Sequence, residues 1–216
     1  MSRLNTIDEI ITDHNNIKDL FKRYKNETDR DKKAMIVNTM IREIAIHSEA
    51  EEATVYKSLE KESEADANHF RDEHQQLEET LYSLDYTNMD RQPDFDKKLE
   101  HGIIMFLKHS AEEESEPGQL AKLSKTLSPE DNDALAKEFL QYRDLVPTRP
   151  HPSAPQSGSV VHKALGAVTR GHDRIIEMMT GRDFVDLKYQ HPAKGQVESL
   201  KMDDSLLGTT TRQTPA

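Results

Sequence analysis

The 216-residue sequence contains no cysteine and no tryptophan. Without thiols there is no disulfide, no thiolate nucleophile and no sulfur ligand, so any bound metal must be held by nitrogen and oxygen. Glycine and proline are sparse, at 8 and 9 residues, and aromatic residues make up 6%. A β-rich, turn-rich fold needs more of these, so the scarcity favours helices. Long apolar runs are missing as well. No stretch approaches the roughly 20 apolar residues of a membrane span. The N-terminus, MSRLNTIDEII, carries acids early and lacks the apolar run of a signal peptide. A cytoplasmic or nucleocytoplasmic location is the expectation.

What the chain does have is charge. Charged residues make up 32%, and the formal net charge is -11 with His neutral. Nucleic-acid binding depends on cationic side chains meeting phosphate, so nucleic acid is not an expected partner. An electrostatic membrane-surface role is excluded on the same ground. The acidity sits in residues 1–146, whereas residues 147–216 carry a slight positive excess. The spacing divides the chain there, into a helical body (1–146) and a linker, short helix and tail (147–216).

Four segments show apolar residues at helical spacing. The first runs from about Thr6 to Lys25, with Ile7, Ile10, Ile11, Ile17, Leu20 and Phe21 on one face. The second runs from about Asp31 to Glu60, the third from about Ala65 to Leu84, and the fourth from about Asp94 to Glu116, where Pro117-Gly118 stops it. Short breaks between amphipathic helices predict an all-α, up-down-up-down four-helix bundle. A further helix is expected from Ser128 to Val146, packed on the outside through Leu135, Phe139 and Leu140. Beyond Pro147 the run TRPHPSAPQSGS reads as a linker. Residues 160–179 show a short amphipathic pattern broken by Gly166 and Gly171, and the remaining tail is expected to be largely disordered.

The chemistry lies in an internal repeat. Asp13-His14 on the first helix resembles Glu73-His74 on the third. His47, followed four residues later by Glu51, resembles His109 followed by Glu113. Each histidine stands where the apolar pattern expects a leucine. His14 lies four residues after Ile10 and three before Ile17, and His74 lies four after Phe70 and three before Leu77. Four residues turn a helix by about 400°, so each Glu shares a face with its His. A lone His on an apolar face is most often structural. Four in register, two with a Glu at the same offset, reverse that judgement. Two carboxylates buried beside four imidazoles need compensation, and no Lys or Arg is expected at that level. A pair of cations is the economical answer. Four histidines and two bridging glutamates suit iron with open positions, with manganese or zinc as alternatives.

This motif set, DH…HxxxE…EH…HxxxE over about residues 5–117, resembles the hemerythrin-like, or HHE cation-binding, domain. The resemblance implies His14, His47, His74 and His109 as terminal ligands and Glu51 and Glu113 as bridges between two iron ions. It also implies dioxygen or another small exogenous ligand. The chain departs from oxygen-carrying members at one point. The positions one turn from His74 are Phe70 and Glu78, so a fifth histidine is missing. That favours iron or oxygen sensing, storage or handling over reversible oxygen carriage. An oxidoreductase acting on peroxide or nitric oxide ranks lower, because no organic substrate pocket is legible. A helical scaffold with a protein partner on residues 160–179 is the third reading.

Other residues are given plainer roles. Glu52, Glu112 and Glu114 are expected as solvated neighbours, Glu114 also as a stand-in for Glu113. Asp13 and Glu73 are expected at the surface or behind the ligands. His69 and His101 are expected near the surface. His151, His162, His172 and His191 are expected to form no separate site. Tyr24, Tyr56, Tyr82 and Tyr86 are read as packing residues with wet hydroxyls.

Overall fold

The structure is a computed structural model. It describes residues 3–85, 89, 92–116, 118–153, 160–193, 197–202 and 206, and side chains are not described for 160–167. Tyr86, Pro117, the His162 side chain, much of the Pro/Ser-rich linker and the final residues 207–216 lie outside what is described.

Among the described residues there are eight helices and no strands. They are α1 (Thr6–Asn26), α2 (Arg30–Ala53), α3 (Val55–Glu60), α4 (Glu64–Asp85), α5 (Phe95–Glu113), α6 (Gln119–Thr126), α7 (Pro129–Arg143) and α8 (Val160–Met179). The long helices α1, α2, α4 and α5 form the four-helix bundle, each touching two of the others, and α7 lies against α1 and α2. Side-chain caps start the helices. Asn5 accepts from the Ile7 N–H, Asp29 from Lys32 and Ser128 from Asp131, with Pro129 following in the first turn. No helix among the described residues is long and apolar enough to cross a membrane.

Two apolar clusters fill the bundle. One gathers Leu20, Phe21, Met40, Ile44, Leu81, Leu99 and Phe106, and the other Ile10, Ala50, Leu59, Phe70, Leu123 and Phe139. His14, His47, Glu51, His74, His109 and Glu113, each at most 3% exposed, are buried among them.

Three features differ from the sequence expectation. The second helix is broken. Thr54 leaves the helical region at φ −131°, ψ −70°, and its hydroxyl bonds back to the Ala50 carbonyl at 2.6 Å. A short α6 also stands between the fourth helix and α7. The turn into it needs Gly118, where a Cβ would overlap the carbonyl oxygens of Glu112 and Glu113.

The third difference is the tail. Residues 182–193 and 197–202 have no helix or strand, yet they run back along the bundle and are hydrogen-bonded to it. The Asn16 amide accepts from the Tyr189 N–H at 2.9 Å and donates to its carbonyl at 3.0 Å. Asn15 treats Leu200 and Glu198 in the same way, at 2.8 and 3.1 Å. α8 docks through its polar side: Asp173 accepts from the Thr148 N–H, and Arg170 donates to the Val146 carbonyl. Its apolar residues Val168, Ile175 and Met179 are left exposed.

Candidate metal centre

The six residues singled out from the repeat converge in the bundle core. They form two overlapping groups whose ligating atoms lie within 4.8 Å of one another: His14, His47, Glu51 and Glu113, and His47, Glu51, His74 and His109. All four imidazoles turn Nε2 inward. His14 Nε2 is 3.4 Å from Glu113 Oε2, and His109 Nε2 is 3.4 Å from Glu113 Oε1. One carboxylate therefore reaches both histidine pairs. Glu51 does the same, with Oε2 3.3 Å from His47 Nε2 and 3.8 Å from His74 Nε2. His74 and His109 bring their Nε2 atoms to 3.0 Å.

The outward nitrogens follow one rule: each Nδ1 meets a carboxylate. His14 faces Glu114 at 2.6 Å, His47 faces Asp13 at 3.3 Å, His74 faces Glu52 at 3.2 Å and His109 faces Glu73 at 2.8 Å. The pairing repeats with the sequence. The acid preceding the histidine of α1 or α4 serves the histidine of the next long helix. The acid following each inner glutamate serves a histidine on α4 or α1. A carboxylate on Nδ1 holds the ring with Nε2 free, which is how metal-ligating histidines are usually oriented. Glu52 and Glu114 are thus not the solvated neighbours expected from sequence. The repeat already held this signal, because the flanking acids recur with the histidines.

Burial and mutual charge divide protons unevenly among these groups. Burial raises the Glu51 carboxyl well above its usual range, and the Glu113 charge adds to this. Burial pushes His47 down to about 4 and also lowers His74, which His109 depresses further. For His109 burial works the other way from its partners, but Glu113 and Glu73 outweigh it and raise it to about 10. His14 is raised by Glu113 and Glu114 against the same burial. Protons on His14, His109 and Glu51 therefore stand in for cationic charge. Even so, His14 Nε2, His47 Nε2, Glu51 Oε1 and Glu113 Oε2 find no hydrogen-bond partner among the described residues. Buried polar atoms seldom stay orphaned. Four of them aimed at one spot fit a cation there.

Cationic side chains come close, but they meet the outer carboxylates and not Glu51 or Glu113. Lys18 donates to Glu114 at 3.0 Å, and Arg143 to Asp13. Against the burial that opposes it, Glu114 is held down at about 2 by His14, with help from Ser199 and Lys18.

Two participants were missed. Tyr56 is fully buried, not wet. Its hydroxyl lies 3.0 Å from Glu113 Oε1, 3.1 Å from His74 Nε2, 3.2 Å from Glu51 Oε2 and 3.4 Å from His109 Nε2. On an unbroken helix it would point about 140° away from Glu51. The break at Thr54 re-aims it. The matching position in the second repeat is Gly118, so only the His74/His109 side receives a phenol.

His191 is the other. It meets Glu9 through Nδ1 and Asp13 through Nε2, each at 2.8 Å. No sequence signal ties residue 191 to residue 13. The other expected bystanders stay outside the core. His69 is half exposed beside Glu112, His101 is exposed, and His151 pairs with Asp173. A cleft of about 180 Å³, lined by Glu73, Gln76, Leu77, Met105, Lys108 and His109, reaches the site from the α4–α5 side.

The His191 contact carries a pH signature. Its ring faces Glu9 and Asp13 of α1, with Arg143 of α7 nearby. Burial lowers its pKa, but Asp13 and Glu9 outweigh that and raise it from 6.5 to about 9. A raised pKa means the contact stabilises fully below pH 6.5 and is lost as pH rises through about 9. Melting of the metal-free protein and of His191→Ala at several pH values checks this. The gap between them should be largest below pH 6.5 and close above about 9.

Comparison with known proteins places this geometry in a lineage. Residues 5–121 match the hemerythrin HHE cation binding domain family. An uncharacterized hemerythrin-like protein of Schizosaccharomyces pombe is 33% identical over 152 residues, covering 68% of this chain and 73% of that protein. No solved structure matches significantly.

Proposed function

The chain belongs to the hemerythrin HHE cation-binding family, and from that footing we propose that it is a non-heme di-iron protein. It acts in sensing, storing or handling iron or dioxygen-related small ligands. The observation that carries the reading is the orientation of the donors: four inward Nε2 atoms, each ring fixed by a carboxylate behind it, with two glutamates reaching both histidine pairs. His14 and His47 would hold one ion, and His74 and His109 the other. Glu51 and Glu113 would bridge them. Bound iron supplies a Lewis-acidic, redox-active centre with room for a small ligand.

Tyr56 adds an oxygen beside His74 and His109, the side on which the fifth histidine is missing. Without a cation its phenol stays protonated, because burial and the charges of Glu113 and Glu51 raise its pKa well above 10. With a cation bound at the site, the Tyr56 phenol would give up its proton more readily. The cleft at His109, of about 180 Å³, suits a ligand of a few atoms.

The test is metal content. Protein produced with iron supplied should hold close to two metals per chain, with oxo-bridged absorption in the near ultraviolet. His74→Ala should bring occupancy down to about one, because one ion loses half its nitrogen donors. Full occupancy in that variant would sink the assignment.

A further inference from the structure

The two halves of the centre are built alike by the repeat, but among the described residues the tail touches only one of them. Behind the four imidazoles stand Asp13, Glu114, Glu52 and Glu73. His191 bonds Asp13, which orients His47. Ser199 donates to Glu114, which orients His14. Both tail contacts therefore converge on the His14/His47 pair. The carboxylates behind the other pair are Glu52 on α2 and Glu73 on α4. The Glu73 side chain is 30% exposed at its cleft.

The tail is attached in a way that favours release as a unit. It holds no helix or strand of its own among the described residues 182–193 and 197–202. Side chains of α1 grip its backbone: Asn15 and Asn16 each bond an N–H and a carbonyl, and Glu9 accepts from the Ala193 N–H at 2.9 Å. All of these lie within two turns of His14 on one helix. A strap without internal ladders, held by side-chain contacts, opens more easily than the helices beneath it.

We infer that residues 182–193 and 197–202 act as a strap that positions the donors for one ion only, with His191 and Ser199 as positioning residues for His47 and His14. The inference rests on the di-iron reading and adds an asymmetry to it. With the strap docked, the carboxylates behind His14 and His47 are held from two sides, by Arg143 and His191 at Asp13 and by Lys18 and Ser199 at Glu114. With it lifted, each loses one of those holds, and the imidazole it orients loses definition. The ion between His14 and His47 then leaves first. Whatever lifts the strap would convert a two-iron centre into a one-iron centre without unfolding the bundle.

The test uses the full, iron-loaded chain and follows release into excess chelator. In the His191→Ala/Ser199→Ala variant, one ion per chain should leave about tenfold faster, the size of effect expected when a partner behind a ligand is removed. The second ion should keep its wild-type rate. Helix content of the metal-free variant should match wild type. His191→Gln, with Ser199 restored, keeps a donor to Asp13 and should return most of the retention. Adding Glu73→Gln to the double variant disturbs the other half and should speed both ions. Equal acceleration of both ions by the double variant, or no acceleration of either, overturns the strap. Wild-type protein that takes up no iron overturns the di-iron reading itself, and that result appears before any substitution is made.

Discussion

Stripping the metal from protein that has been loaded with iron should lower its melting temperature by about 10 °C. Ligand present at about a thousand times its dissociation constant stabilises a fold by roughly 4 kcal/mol. For a chain of this size each kcal/mol moves the midpoint by about 2–4 °C. The physical source is visible in the metal-free charge pattern. Glu51 has to keep a proton, and His14 and His109 have to stay protonated, for Glu113 to remain an anion in the core. Cations replace those protons. Metal binding therefore releases protons and strengthens as pH rises, up to about 10 where His109 gives up its own. The melting gap between loaded and stripped protein should widen with pH over that range. Scanning calorimetry of both forms at several pH values checks the size and the sign. A gap that narrows as pH rises would contradict the proton–metal exchange.

Tyr56→Phe should abolish visible absorption from the iron-loaded protein while leaving the near-ultraviolet oxo-bridge band. A phenolate bound to ferric iron absorbs in the visible, and a phenyl ring cannot. The substitution keeps the ring that stacks on Phe70 at 6.0 Å and on His74 at 5.2 Å, so packing is largely preserved. What disappears is the oxygen lying among Glu51, His74, His109 and Glu113. The ion held by His74 and His109 should be retained about tenfold to a hundredfold less well. Iron-loaded wild type without a visible band, or a band unchanged in Tyr56→Phe, would remove Tyr56 from the ligand set. Because the strap touches the opposite half, loss of Tyr56 and loss of His191 should each free a different ion.

Much of this was legible in the one-dimensional pattern. Helical spacing is a local property, so Ile10, His14 and Ile17 announce one buried face without any knowledge of what covers it. The offset of four between His47 and Glu51, repeated between His109 and Glu113, fixed those pairs on common faces for the same reason. The duplicated motif even contained the outer carboxylates, since Asp13 and Glu73 each precede a histidine and Glu52 and Glu114 each follow an inner glutamate. Their roles become apparent only once helices lie side by side and an acid on one faces an imidazole on the next.

Two decisions belonged to tertiary structure alone. Tyr56 enters the site because the chain breaks at Thr54, a change of direction that a continuous apolar pattern from Asp31 to Glu60 hides. His191 reaches Asp13 across 178 residues of sequence. The closing of so long a loop is settled by the summed contacts of the whole strap and not by any neighbour of His191. Periodicity in the chain dictated which side chains face inward. Packing in three dimensions decided which of them meet, and which distant segment holds them in place.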